Sequence, residues 1–465
     1  MRILRPRASI GAPARLFSLV LILAGSAATP RAATATAAAE AGSSVKAAST
    51  VTAIRCGRLI DGRADEVRRG AVVIVEGERI VAVTGREAIP KGARLIDLSA
   101  FTVLPGLIDA HVHPLIRKDD YQVDHLRLSS AAKALRGLRV AQDLLFEGWT
   151  TLRVAGDADV HYAHLDLAAA IRAGTVQGPR IVGAGHYIST TGGGGDINFI
   201  APEQSIIADG LIADGVEEMR RAVREEIKHG STWIKVLATG AFMSAGDDPR
   251  HVHFSREEME TVVEEAARRG VSVMAHAHSA DGIRLAVEAG VRSIEHGTFI
   301  DAEGVRMMKE RGTWLIPTLS VGAWMQEEIP GSEALRKAVE LERRYRDESR
   351  AAISKAIREG VRIGVGTDDV GYPPGYGVGE FALLVELGMT PMQAIRAGTV
   401  VNAELLGMES DIGSIEPGRL ADIIAVDGDP LVDIGALGDV RYVMLGGRIV
   451  RSPGAPESGY PEAGR

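Results

Sequence analysis

GLIDAHVHP, residues 106–114, is an apolar run that ends in two histidines separated by one residue. Side chains two apart in a strand project to the same face, so His111 and His113 can chelate one metal ion. A His-x-His pair alone is common. The apolar strand before it and the Pro105-Gly106 turn place this pair at the C-terminal end of a strand, where barrel enzymes keep their active sites. Outward from it, further strand candidates lie at 149–154, 180–185, 233–238, 271–277, 292–296, 314–318 and 362–367. Helical stretches at 130–146, 216–229, 257–269, 280–289, 334–359 and 391–406 alternate with them, and Ser255 with Glu258 has the capping-box form. Strands separated by helices imply a parallel sheet, and eight of them is the number that closes a barrel. The pattern predicts an α/β fold, a (β/α)8 TIM barrel over residues 105–409. An open doubly wound sheet is the competing arrangement, but no Gly-rich phosphate fingerprint follows the first strand.

The ends of the chain read differently. Residues 51–104 and 410–451 are short β-rich runs with Gly and Pro punctuation, which predicts a small β-sandwich built from both ends. Arg2, Arg5, Arg7 and Arg15 precede the apolar run at 16–24, and Gly25-Ser26-Ala27-Ala28 follows it. That is the form of a signal peptide, assigned to residues 1–29, and the run is too short to span a bilayer. Residues 30–50 are Ala/Thr/Ser-rich and read as a flexible linker, and 452–465 as a tail. The expected location is therefore periplasmic or secreted. Of 465 residues, 46% are hydrophobic and 25% charged, with net charge −8, which argues against a nucleic-acid partner. The single cysteine, Cys56, rules out an intrachain disulfide framework and a cysteine-rich metal cluster. Any metal must be held by His, Asp, Glu or Lys.

Such residues recur at later strand ends. Lys235 sits amid Trp233-Ile234 and Val236-Leu237, where a charged amine is costly unless paired or neutralised. Carboxylation to a carbamate that bridges two cations is one resolution, and a buried ion pair is the other. His276 and His278 end one strand, His296 ends the next, and Asp368 closes the series.

Together the stretches PGLIDAHVHP, WIKVLATGAFMS, MAHAHS, SIEHGTFID, GVGTDD and LGMESDIGSIEPGRLADIIAVDGDPLVDI resemble the amidohydrolase superfamily. They are closest to its imidazolonepropionase-like branch of binuclear metallopeptidases and amidases, which includes Xaa-Pro dipeptidase-like and ochratoxin-hydrolysing enzymes. The resemblance implies two divalent metal ions, zinc by expectation, on His111, His113, a carbamate of Lys235, His276, His296 and Asp368. It implies hydrolysis of dipeptides or N-acyl amino acids with a free carboxylate by a metal-bridging hydroxide, Asp368 acting as general acid and base. The alternative is a mononuclear cyclic-amide hydrolase or deaminase; the stretch after His276 lacks the Glu that deaminases of this kind carry. A non-catalytic scaffold barrel is disfavoured because the ligand set is complete. The expected partners are a small amide or peptide and further copies of the chain, with no membrane span in the mature form.

Substrate contacts are assigned to His278 and to Gly192 and Gly193, in a glycine loop at 189–196 read as a mobile lid. Relatives commonly carry TGGHGD there, and Gly194 stands at the histidine position. Arg153 and Arg284 could meet a carboxylate or form surface ion pairs. His161 and His164 could line the pocket mouth, and residues 372–376 could supply an aromatic wall or a rigid turn. His251 and His253 read as loop residues.

Overall fold

The computed structural model describes residues 51–454 apart from 86–88, 118–120, 160, 245–246 and 328–332. The proposed signal peptide and linker, and the tail from residue 455, lie outside the described residues.

The strand opened by the histidine motif, Leu107–Val112, pairs in parallel with Trp149–Ala155, which pairs with Arg180–Ala184. A second parallel set runs Leu211–Ile212, Tyr187–Ser189, Trp233–Leu237, Ser272–Ala277, Ser293–His296, Trp314–Ile316, Arg362–Ile363. The central strands are buried along their length and so read as apolar runs rather than alternating ones; every residue of Trp233–Leu237 is inside. The sets touch at both edges. Ala110 N–H donates to Val365 O (3.0 Å) and Asp368 N–H to His111 O (2.7 Å), while Thr232 N–H donates to Gly183 O (2.9 Å). The architecture is TIM-barrel-like.

The strand expected at 362–367 is regular only over Arg362–Ile363. Beyond it Gly364 N–H still donates to Leu315 O (3.0 Å), and Asn402 bonds into the same stretch, its Nδ2 donating to both Ile108 O and Val365 O at 2.7 Å. The helix expected at 391–406 is broken into Pro391–Ala397 and Val400–Leu406 at Thr399, whose φ of −133° and ψ of −97° are not helical. The Ser255–Glu258 capping box is present and starts Arg256–Ala267. The long helix Glu333–Glu359 matches expectation, whereas Leu319–Glu327 and Gly379–Glu386 were not foreseen.

The two chain ends pair as the pattern required. Ile423–Val426 runs antiparallel to Arg94–Pro105, within one sheet of eight strands. Period-two alternation sorts its side chains. Ile423, Ala425, Tyr442 and Met444 join Ile54 and Leu98 in that sheet's own core. Their neighbours Ile424, Val426, Val443 and Leu445 pack into the barrel's core instead. Among the described residues, no helix is long and apolar enough to cross a membrane.

Candidate metal centre

The strand ends place the motif residues in two adjoining groups. In the first, His113 Nε2 lies 3.3 Å from His111 Nε2 and 3.3 Å from Asp368 Oδ1, with His111 Nε2 3.6 Å from the same oxygen. In the second, His276, His278 and His296 each offer a nitrogen within 4.8 Å of the others. The groups meet where the His111 and His296 rings approach to 5.1 Å. All of these side chains are buried or nearly so, and Lys235, 2% exposed, lies on the strand beside the one that carries His276.

Each imidazole is oriented through its other nitrogen. His111 Nδ1 meets Glu295 (2.6 Å), His113 Nδ1 meets Gly156 O (2.5 Å) and His296 Nδ1 meets Thr318 Oγ1 (2.7 Å). His278 Nδ1 meets Thr298 Oγ1 (2.7 Å), and His276 Nε2 meets Gly240 O (3.1 Å). Outer partners of this kind fix the tautomer and aim the remaining lone pair. The backbone is strained at the same places: His296, Thr318 and Asp368 hold φ of 72°, 49° and 55°. Left-handed conformations at non-glycine residues persist where surrounding contacts over-determine them, as at functional sites. Asp109, inside the opening motif, accepts from His111 N–H (3.0 Å), Thr367 N–H (3.1 Å) and Thr367 Oγ1 (2.7 Å), so it locks the first strand to the last.

Burial, with Lys235 beside it, lowers the His111 imidazole to about 4. Burial pushes His276 and His296 further down, so neutral rings with a free lone pair are favoured. Burial also lowers the Lys235 amine to about 8. Burial opposes ionisation of Asp368, but His111 and His113 hold its carboxyl well below the usual range. Anionic oxygen, neutral imidazole and a readily deprotonated amine are the donors a divalent cation requires, so the residues present fit a metal centre.

The site opens on a cavity of about 600 Å³, a volume typical of small-molecule sites. Phe242, Leu319, Val321, Met325 and Val370 give it an apolar wall, and the helix Glu333–Glu359 gives it a charged one. Glu380 fixes the wall helix Leu319–Glu327 by accepting from Leu319 N–H and Ser320 N–H.

Several substrate assignments change. His278 faces inward to His276 and His296 as well as to the cavity. Gly192 is exposed and Gly193 packs on Ser189 and His253, so neither lines the cavity; Gly194 does. In the loop, Ser244 Oγ donates to Gly194 O (2.8 Å) and Gly195 N–H to Ser189 Oγ (3.1 Å). Arg153 is consumed by Glu295, and Arg284 by Asp281 and Asp301. His161 and His164 lie outside the cavity lining, and His253 pairs with Asp247. Tyr372 forms no wall; its hydroxyl donates to Thr367 O (2.8 Å) and Asp368 O (3.0 Å) and props the aspartate from behind. Sequence reasoning missed Glu295, although SIEHGTFID carried it next to a ligand: strand alternation turns it away from His296 and under His111.

A TIM-barrel-like fold with metal-competent histidines gathered at its strand ends defines a hydrolase of the amide-cleaving kind. The chain belongs to the amidohydrolase family, whose sequence pattern matches residues 102–450, and it is an enzyme acting on amide C–N bonds. It is 36% identical over 432 residues to ochratoxinase of Aspergillus niger, covering 87% of each chain. A Xaa-Pro dipeptidase structure with methionine bound in the active site superposes with TM-score 0.81 and 35% identity, over 87% of this chain and 100% of that one. A prolidase complexed with N-methylphosphonate-L-proline gives TM-score 0.79 and 33% identity, over the same shares.

Proposed function

We propose that this protein is a binuclear amidohydrolase that cleaves dipeptides or N-acyl amino acids bearing a free carboxylate. The observation that carries the reading is the pair of adjoining donor groups with the buried Lys235 lining the same cavity. His111, His113 and Asp368 would hold one cation, and His276 and His296 the other, with Lys235 as a carbamate between them. Two divalent ions, zinc in this proposal, supply an activated water and a polarised substrate carbonyl when bound.

The chain's own residues supply the rest. Asp368, ionised by its histidine neighbours, accepts the proton released at the attacking oxygen and passes it to the leaving nitrogen. Thr318, Thr298 and Glu295 keep the imidazoles aimed while the apolar wall excludes water. The likeness to ochratoxinase, a Xaa-Pro dipeptidase and a prolidase supports an amino-acid-like substrate with a carboxylate. The bonds from Ala110 to Val365 and from Thr232 to Gly183 support a closed (β/α)8 barrel, and the terminal sheet's own core supports a sandwich.

The test is a hydrolysis panel of dipeptides and N-acyl amino acids, each paired with its C-terminal amide, together with metal analysis. Two metals per chain, modified Lys235 and preference for the acids are expected. A single tightly bound metal with unmodified Lys235 removes the binuclear reading, and equal rates on acid and amide remove carboxylate recognition. Export is proposed from residues 1–29 alone; N-terminal sequencing of the protein from the cell exterior tests it.

A further inference from the structure

The cavity wall nearest the strand-end donors is apolar, and its pieces are carried on the loops that also carry the donors or their holders. Ile116 N–H donates to His113 O (3.0 Å), Val370 follows Asp368 by two residues, and Leu319 follows Thr318, whose hydroxyl holds His296. Ile116, Phe242, Met325 and Val370 form one buried apolar cluster, separate from the barrel's core, that lines the cavity. The charged lining belongs to the helix Glu333–Glu359 and to Glu386, and these charges answer one another: Arg350 pairs with Glu386 at 2.6 Å, and Arg346 is set against Glu342.

Phe242 is the member of that cluster that stands against a strand-end histidine. Its ring meets the His278 imidazole edge-on, with centroids 4.7 Å apart. His278 lines the cavity and spends Nδ1 on Thr298, so its other nitrogen is what it can offer a ligand. The phenyl ring is braced from behind. Tyr345 packs nearly perpendicular to it at 6.4 Å and to Phe299 at 4.9 Å, and Arg250, paired with Glu348 at 3.0 Å, lies over both Tyr345 and Phe299. The backbone leading to it is fixed as well, by Gly240 N–H donating to His251 O (3.0 Å) and Ala241 N–H to Asp247 Oδ2 (3.1 Å).

We propose that Phe242 is a specificity residue that reads the side chain of the leaving amino acid, and that this side chain is large and apolar, an aromatic one above all. This rests on the carboxylate-bearing amide substrate proposed above, with the carboxylate received at His278. A carboxylate held there sets the amino acid that bears it beside whatever flanks the imidazole, and the flank is Phe242. A phenyl or long aliphatic group laid on this wall leaves water for apolar contact, and a pair of aromatic rings gains beyond the area it buries. An acidic or basic side chain would lose its hydration against apolar neighbours that give it no partner. Because Phe242 carries no donor atom, its replacement changes which substrate is held and leaves the chemistry at the strand ends in place.

The experiment compares the full metal-loaded enzyme with its Phe242→Ala and Phe242→Leu variants on the N-acetyl derivatives of L-phenylalanine, L-leucine, glycine, L-aspartate and L-lysine. Calorimetric binding of free L-phenylalanine and glycine is measured on the same proteins. The wild type should prefer the phenylalanine and leucine substrates over the other three by about 10- to 100-fold in kcat/KM. Phe242→Ala should reduce the phenylalanine-over-glycine ratio by about 10- to 100-fold, mostly through KM, and weaken L-phenylalanine binding by a similar factor. Phe242→Leu keeps an apolar wall of nearly the same size, so it should retain most of both and carries the test if the alanine variant folds poorly. The ratio of N-benzoylglycine to N-acetylglycine turnover, which varies the acyl side, should not move in either variant. A wild type without the preference, an unchanged ratio in Phe242→Ala, or a loss equal for all five substrates overturns the proposal. A shift in the benzoyl-over-acetyl ratio in place of the phenylalanine-over-glycine ratio overturns it too, while amide hydrolysis stands. If no amide is cleaved the function proposed above fails, and amino-acid binding still decides Phe242: undiminished L-phenylalanine binding in Phe242→Ala overturns its role.

Discussion

Replacing Glu295 with glutamine tests whether the buried charge beneath the metal ligands holds the site together. Its carboxylate has no exposed surface and lies 2.9 and 3.0 Å from Arg153 Nη2 and 2.6 Å from His111 Nδ1. Burial alone would raise this carboxyl; Arg153 and His111 outweigh it and bring it from 4.5 down to about 2. A folded-state value below the unfolded one means that the ionised group stabilises the fold fully above pH 4.5 and loses that contribution as pH falls toward 2. That drop corresponds to roughly 3 kcal/mol, within the range of about 3–5 kcal/mol for breaking a buried ion pair and stranding its partner. Both figures describe one interaction and are not summed. Metal-free protein is the right material, since a bound ion adds its own stabilisation. Urea unfolding at pH 7 should show Glu295→Gln about 3 kcal/mol less stable, with the gap from wild type narrowing below pH 4.5. Metal affinity should fall by about 10- to 100-fold, because His111 loses the anion that orients it. Equal stability at pH 7, or a gap that persists unchanged into acid, would refute the reasoning.

Other substitutions probe the remaining parts. Asp368→Asn should retain most of its metal while kcat falls by about 100-fold or more, measured by metal analysis beside turnover; a metal-depleted, unfolded protein counts against the proton-transfer role. Gly366→Ala inserts a methyl that clashes with Ile316 and lies 2.7 Å from His111 Cβ. It should cost roughly 1–3 kcal/mol in denaturant unfolding, and a neutral result would show that the two strands can part. Lys235 has a folded value of about 8 against 10.5, so its burial costs stability below pH 8 and the cost disappears as pH rises to 10.5. Metal-free wild type should therefore gain about 3 kcal/mol over Lys235→Met across that interval, and parallel pH profiles would contradict it.

How much of this was legible in the sequence depended on whether a residue's position along its own strand determined its place in the fold. His111, His113, His276, His296 and Asp368 were readable because each ends an apolar run, and parallel strands bring their C-terminal ends to one rim. Lys235 was readable for the opposite reason, as a charge misplaced in an apolar strand. The chain ends were readable from period-two alternation, which divides Ile423 from Ile424 and Tyr442 from Val443 between two cores. The regular part of the last strand is shorter than its apolar run, and the side chain of Asn402, 37 residues beyond Val365, bonds into it without a local sequence signal.

Roles set by a partner on a distant element left no local trace. Arg153 sits on a strand that also looked able to meet a substrate, and only the register against Ser293–His296 shows that it belongs to Glu295, 142 residues away. That pairing has a consequence for specificity. A cation given to the interior to balance Glu295 is not free for a ligand, so Arg153 drops out of the residues that could meet a substrate, although its place on a strand of the barrel had kept it among them.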